Sequence, residues 1–367
     1  MTTAELAIGV DRGLRVPIYR QIGRQFAAMI ERGELRRGQR LPGVPQLVRE
    51  LGVNYRTVRQ AYQYLSQTGL VEIINGKGTF VADRTAAGRE TRTVAAVGYW
   101  PLDVHSDRQD FLQNVYRGMR LEAERMGWSC PYMTPAGNLM ETWRQARAAG
   151  MIVFATSSEL IDPDGLRQAG VKAVTVSGSG KALPMVRSDD HAGIGAMMDH
   201  FFELGHRRIA FVGASQLTHS VRRRMEAYCR KMGERGLSIQ PSWIFISEDP
   251  VLQEWEEQER VYEQLFGSDA PPTAIVASSG YVSMSLLQLL HRHRVRIPEE
   301  VSVGGYDDLP AMRFAAPPLT TVRQPLEEIG REAVRKVVAM LEEREVEDSV
   351  LPVELVVRGS TAKARES

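Results

Sequence analysis

Six short β-rich runs recur from residue 93 onward: TVAAVGYW, GMIVFAT, VKAVTVS, RRIAFVGA, PTAIVAS and VSVGGYD. Helical segments such as VYRGMRLEAERMG and AGIGAMMDHFFELGH lie between several of them. Strands that alternate with helices predict parallel, doubly wound α/β sheets, because successive parallel strands need a crossover long enough to hold a helix. The segment runs to roughly 265 residues, which suits two such sheets better than one.

Nothing before residue 83 has that texture. VPIYRQIGRQFAAMIERGEL sets Ile18, Ile22, Phe26, Met29 and Ile30 at helical spacing, with Gly33 placed to stop the helix. Leu47, Val48 and Leu51 mark a short second helix that ends at Gly52, and Gly43 and Pro45 suit its start. Asn54 is an N-cap for a third helix with Val58, Ala61, Tyr62 and Leu65 on its apolar side. Tyr55, Arg56, Arg59 and Gln60 stand on the opposite side, near the end that a recognition helix presents to the major groove. LVEII and GTFVA then predict a hairpin around Asn75, Gly76, Lys77 and Gly78, whose Asn-Gly pair favours a tight turn. The stretch ADRTAAGRETR, residues 82 to 92, has no apolar periodicity and reads as a linker. The expected division is therefore a head at 14–82, a linker at 83–92 and an α/β body at 93–360.

Charge separates the two parts. The chain carries a formal net charge of only +1, yet residues 14 to 82 hold eleven Lys/Arg against four Glu. A basic head on an acidic body points to a polyanion partner for the head alone. No apolar run approaches the ~20 residues that cross a bilayer. No basic segment followed by an apolar stretch opens the chain, so the expectation is a cytoplasmic protein without membrane association. Cys130 and Cys229, far apart and outside any C-x-x-C spacing, are read as plain thiols.

The head resembles the winged helix-turn-helix of GntR-type bacterial regulators through P-I-Y-x-Q-I, G-E-L-x-x-G-x-R-L-P, L-G-V-x-x-x-T-V-R-x-A-Y, L-x-x-x-G-L-V and G-K-G-T-F-V. The resemblance implies operator contacts from Tyr55, Arg56, Thr57 and Arg59, and from a wing formed by Asn75, Gly76, Lys77 and Gly78. One departure stands out. Relatives follow Leu-Pro with Ser-x-Arg, where this chain has Gly43, Val44 and Pro45.

The body resembles the effector domain of LacI/GalR-type repressors, itself similar to periplasmic sugar-binding proteins. S-D-D-H-A-G-I-G-A, H-F-F-E-L-G-H-R-R-I-A-F-V-G, R-M-E-A-Y, P-P-T-A-I-V-A-S, I-P-E-E-V-S-V-G-G-Y-D-D, P-P-L-T-T-V-R-Q-P and V-R-G-S-T carry the likeness. The whole resembles arabinose-repressor-type chimeric regulators. It implies a periplasmic-binding-protein-like fold of two lobes, about 94–206 plus 322–343 and about 207–321 plus 344–360, with effector in the cleft between them. Open parallel sheets bind ligands beyond the carboxyl ends of their strands. Asp307, after VSVGGY, therefore faces the cleft, while Asp308 holds the turn. Arg224 matches a ligand-binding arginine, Trp100 can stack on a sugar or base, and Phe111 falls at a cleft-lining position; Trp255 is a further aromatic candidate. Ser279-Gly280 replaces the Asn-Asp of relatives, which opens room and removes a charge.

The expected function is a homodimeric, operator-binding repressor on double-stranded DNA, with an inverted-repeat operator and a small effector, a sugar foremost. An activator or corepressor-dependent regulator, a free solute-binding protein and an enzyme are the alternatives. No catalytic site, cofactor or metal is expected. S-G-S-G-K lacks the phosphate-loop pattern, His200 and His206 lack the H-E-x-x-H spacing, and His291 and His293 have no third ligand nearby. Asp189 and Asp190 are read as caps of the helix that follows.

Overall fold

The computed structural model describes residues 8–13, 16–36, 38–67, 70–74, 76–82, 92–98, 109–135, 139–154, 163–178, 183–214, 219–248, 252 and 254–365. The linker residues 83–91 and the candidates Asn75 and Trp100 lie outside the described residues.

The head consists of α1 (Ile18–Glu31), α2 (Val44–Leu51), α3 (Tyr55–Gln67) and a hairpin of β1 (Val71–Ile74) and β2 (Gly78–Val81). Ile22, Phe26, Leu47, Val58, Ala61 and Leu65 meet in one core, as the periodicity requires. Gly52 ends α2 at φ 61, a left-handed conformation that costs glycine nothing. The head starts earlier than the expected residue 14. Ile8 is buried in its core, and the side chains of Gln21 and Gln25 bond the backbone of Asp11 and Gly9 as a neighbouring strand would. That arm gave no sequence signal, because its partners are glutamine side chains rather than an apolar stripe.

The first lobe comprises β3 (Val94–Val97), α4 (Gln109–Arg125), β4 (Tyr132–Met133), α5 (Leu139–Ala146), β5 (Gly150–Phe154), α6 (Pro163–Gln168), β6 (Lys172–Val176) and β7 (Met185–Ser188). The second continues with α7 (Asp190–Glu203), β8 (Ile209–Ala214), α8 (His219–Glu234), β9 (Ile244–Ser247), α9 (Trp255–Phe266), β10 (Ala274–Ala277), α10 (Gly280–Arg292), β11 (Ser302–Tyr306) and β12 (Thr320–Arg323). The chain then returns to the first lobe with α11 (Leu326–Leu341) and β13 (Ser349–Leu351), and to the second with β14 (Glu354–Val356). The sheet orders are β13-β7-β6-β5-β3-β4 and β14-β12-β11-β10-β8-β9, parallel throughout except for β14 against β12.

These sheets move the expected lobe boundaries. The first crossing falls after Ser188, not near 206, because Ile194, Met197, Met198, Phe201 and Phe202 of α7 bury against the second sheet. β12 belongs to the second sheet, so the return crossing follows Arg323 rather than preceding residue 322. The last crossing lies between Leu351 and Glu354 instead of at 343/344, since β13 still pairs with β7. The hydrogen bond from Asp189 N to Leu351 O (2.9 Å) ties the first crossing to the third.

In the first lobe α4 and α11 cross at a pair of glycines. A Cβ on Gly118 would overlap the Glu327 carbonyl, and one on Gly330 would overlap the Val115 carbonyl. Backbone cannot yield as a side chain does, so Gly330→Ala should push the helices apart. The expected loss is at least about 1 kcal/mol, read as a lower midpoint in urea or thermal unfolding.

Candidate DNA interface and effector cleft

The Asn54 carboxamide oxygen accepts bonds from Thr57 N (2.7 Å) and Thr57 Oγ1 (2.9 Å), which caps α3. Thr57 is therefore half-buried with its hydroxyl engaged, while Tyr55 (54% exposed), Arg56 and Arg59 stand in solvent on the first turns. The opposite face is held by Val58 and Leu65 in the core and by Tyr62, whose hydroxyl donates to Pro42 O. Gly76 and Lys77 are exposed at the hairpin tip, and Gly78 is half-buried at φ +122. The arrangement offers a fixed helix end with two exposed arginines and a hairpin tip with one exposed lysine to a groove and its phosphates.

Between the lobes lies a cavity of about 590 Å³ whose wall includes Asp110 and Asn114 of α4, Asp307, Arg313, Arg323 and Gln324. Asp307 follows β11 at φ +87, a region that a non-glycine residue enters only when its surroundings impose it. Its Oδ2 accepts from Gly280 N (2.8 Å) and its Oδ1 from Gln324 Nε2 (2.5 Å). The Gln324 carbonyl accepts in turn from Ser188 Oγ (2.5 Å). Ser188 ends β7 and Gln324 follows β12, so this chain of bonds joins the cleft carboxylate to two of the three crossings.

Arg224 is nearly enclosed, at 5% exposed. It bonds Asp190 Oδ1 (2.8 Å) and Ser278 O (2.6 Å), approaches Asp307 Oδ1 at 3.8 Å, and lies over the Tyr306 ring at 3.5 Å. Burial opposes its charge, but the charges of Asp190, Tyr306 and Asp307 and the Asp190 hydrogen bond outweigh that and raise its pKa above the ordinary value. The Asp190 carboxylate also takes Arg223 Nε (2.8 Å), whose Nη1 reaches Gly178 O of the first lobe at 3.5 Å. Arg223 Nη2 and Ser278 Oγ are buried without a partner among the described residues. The cavity wall thus presents carboxylates (Asp110, Asp307), guanidinium donors (Arg313, Arg323) and amides (Asn114, Gln324), a set of donors and acceptors that matches a polyhydroxylated ligand. Arg224 and Ser278 are enclosed rather than on that wall.

The structure brings Arg224, Asp307 and the 279–280 turn together, while Phe111 and Trp255 fall elsewhere. Ser279 Oγ caps α10 by accepting from Val282 N (3.3 Å). Phe111 packs against the first-lobe core, and its helix neighbours Asp110 and Asn114 line the cavity instead. Trp255 lies under Arg292 (3.6 Å), at the end of α10 far from Ser279, because α9 packs along the outer side of that helix. Asp189 does cap α7, accepting from Ala192 N, but Asp190 is an ion-pair partner rather than a cap. Asp308 braces its turn with bonds from Arg323 (2.8 Å) and Arg358 (2.6 Å). His206 bonds Thr273 and Ser302, and His200 bonds Thr361, so both serve the packing of the C-terminal segment.

The model of the bacterial regulatory proteins of the gntR family matches residues 18–81, and that of the periplasmic binding protein-like domain matches residues 198–361. The arabinose metabolism transcriptional repressor of Halalkalibacterium halodurans is 25% identical over 373 residues, covering 95% of this chain and 97% of its own. The HTH-type transcriptional regulator MalR of Streptomyces coelicolor is 31% identical over 248 residues, 63% of this chain and 70% of its own. Among solved structures, a regulatory protein of the LacI family from Chloroflexus aggregans superimposes with a TM-score of 0.66 at 20% identity, covering 74% of this chain and 98% of its own.

Head, cleft and relatives together define a DNA-binding transcription regulator rather than an enzyme. The chain belongs to the helix-turn-helix regulators of bacteria that join a gntR-family head to a periplasmic binding protein-like body. Among the polar residues that hold Asp307 and Arg224, the sequence did not point to Gln324 or Ser188, and it gave Asp190 only as a cap. Ser188 ends β7 and Gln324 follows β12, so the strand-end rule that found Asp307 would have found both.

Proposed function

We propose that this protein is a cytoplasmic, homodimeric repressor whose hold on an inverted-repeat operator is set by a sugar bound between its lobes. Asp307 and Arg224 would grip the sugar hydroxyls, with Asp190 and Gln324 holding them in place. Tyr55, Arg56 and Arg59 would read bases, and the wing tip at Asn75, Gly76 and Lys77 would hold phosphate. The observation that carries the reading is the bond chain Gly280–Asp307–Gln324–Ser188, which runs from the cleft to the crossings between the lobes. A ligand that competes for Asp307 acts directly on the segments about which the lobes must move. Only a ligand with unequal affinity for the two lobe arrangements can shift them.

A sugar is favoured by the mixed donor and acceptor set of the cleft, and the name of the H. halodurans relative makes arabinose the first compound to test. A dimer is supported by Phe314, 87% exposed beside a groove in which Tyr281, Met284, Leu287, Ala315 and Ala316 stand together with Ser285, Gln288 and His291. Two heads related by a two-fold axis require a roughly palindromic site.

The test is a thermal-shift screen with arabinose, other pentoses, hexoses and nucleosides, followed by binding to a selected operator with each hit. A sugar should raise the melting temperature and weaken operator binding at least tenfold. A hit that stabilises the protein but leaves operator binding unchanged would refute control from the cleft, and a nucleoside as sole effector would refute the sugar.

A further inference from the structure

Arg40 lies outside the recognition helix and outside the hairpin, yet the structure makes it part of the wing. Residues 38–41 run along β2 as a third strand, with Gly38 N to Val81 O (2.9 Å), Val81 N to Gln39 O (2.8 Å) and Leu41 N to Thr79 O (2.8 Å). Arg40 faces Phe80 across this added pairing. Its guanidinium folds over the Cα of Gly78: a Cβ there would stand 2.9 Å from Nε and 3.2 Å from Nη2. Gly78 therefore does two things. It takes a φ of +122 at the turn, and by lacking a side chain it leaves a bed for the arginine.

The guanidinium held there is exposed, and among the described residues no carboxylate neutralises it. Arg32, by contrast, is spent on Glu34 at 2.6 Å. Lys77, the residue before Gly78, is exposed on the same hairpin tip. A cation lying against the backbone of a hydrogen-bonded strand loses less side-chain freedom on binding than one waving from a loop.

We propose that Arg40, seated on Gly78, is a phosphate contact of the wing, and that Gly78 serves DNA binding by seating it rather than by touching DNA. The proposal rests on the head being the DNA-binding part. It needs no operator, because a phosphate contact strengthens binding to every duplex alike. The probe is a labelled 30-bp duplex of random sequence, titrated with the full chain across a range of salt.

Arg40→Ala should weaken binding about three- to tenfold at low salt and reduce the magnitude of the log–log salt slope by about 0.9, the release from one phosphate. Arg40→Lys should restore the slope, and both variants should melt like wild type. A slope unchanged in Arg40→Ala, with normal wild-type binding, would overturn the proposal whatever the affinity does. Failure of the wild type to bind any duplex would instead overturn the reading of the head, and this contact with it.

Discussion

Replacing Arg224 by alanine is expected to destabilise the body by about 3–5 kcal/mol, the range for breaking a buried ion pair from one side. The loss has three parts. Asp190, itself 1% exposed, would keep only Arg223. Ser278 O would lose its guanidinium donor, and Tyr306 would lose the cation over its ring. The sequence points to Arg224 as a ligand-gripping residue, and its enclosure adds a structural role. Arg224→Lys should be damaged less, because it keeps the charge but cannot serve Asp190 and Ser278 O in the same fork geometry. Urea unfolding of both variants checks this. Wild-type stability in Arg224→Ala would mean that the ion pair contributes nothing net and that the arginine is held for ligand alone.

Arg56→Ala should weaken operator binding by about 1–3 kcal/mol and relax preference at one base pair in each half-site. Asn54 fixes the start of α3, so Arg56 leaves the helix in solvent at a defined place, on the side away from Val58 and Leu65. A bidentate grip on guanine depends on that fixed origin. Random duplex should lose far less affinity than operator. Equal losses on operator and on random DNA would reassign Arg56 to the phosphates.

Much of the fold was legible because burial sets a period. The apolar stripe of α3 and the β-rich runs of the body need no tertiary information to be recognised, and Asp307 followed from its place after a strand. The lobe boundaries were not legible, because α7 is apolar enough to belong to either sheet and only packing assigns Met197 and Phe201 to the second. Phe111 and Trp255 failed for a related reason: an aromatic at helical spacing suits a core or an outer face as readily as a cleft. Asp190 escaped because a carboxylate at a helix start is normally a cap, and its two arginine partners lie more than thirty residues away. Arg40 escaped because its strand pairing is made by backbone alone.

The central claim is that the cleft decides when the head holds DNA, and Asp307 tests it most directly. Its carboxylate is bonded to Gly280 and Gln324, and charge-assisted bonds of this kind are worth roughly 1.5–3 kcal/mol each. Labelled operator should be titrated with the stabilising sugar in the presence of wild type and of Asp307→Ala. The account predicts that the midpoint of the sugar response moves up at least tenfold in the variant, which needs only about 1.4 kcal/mol. An unchanged midpoint would contradict it and would send the search for the sensing site away from the cleft.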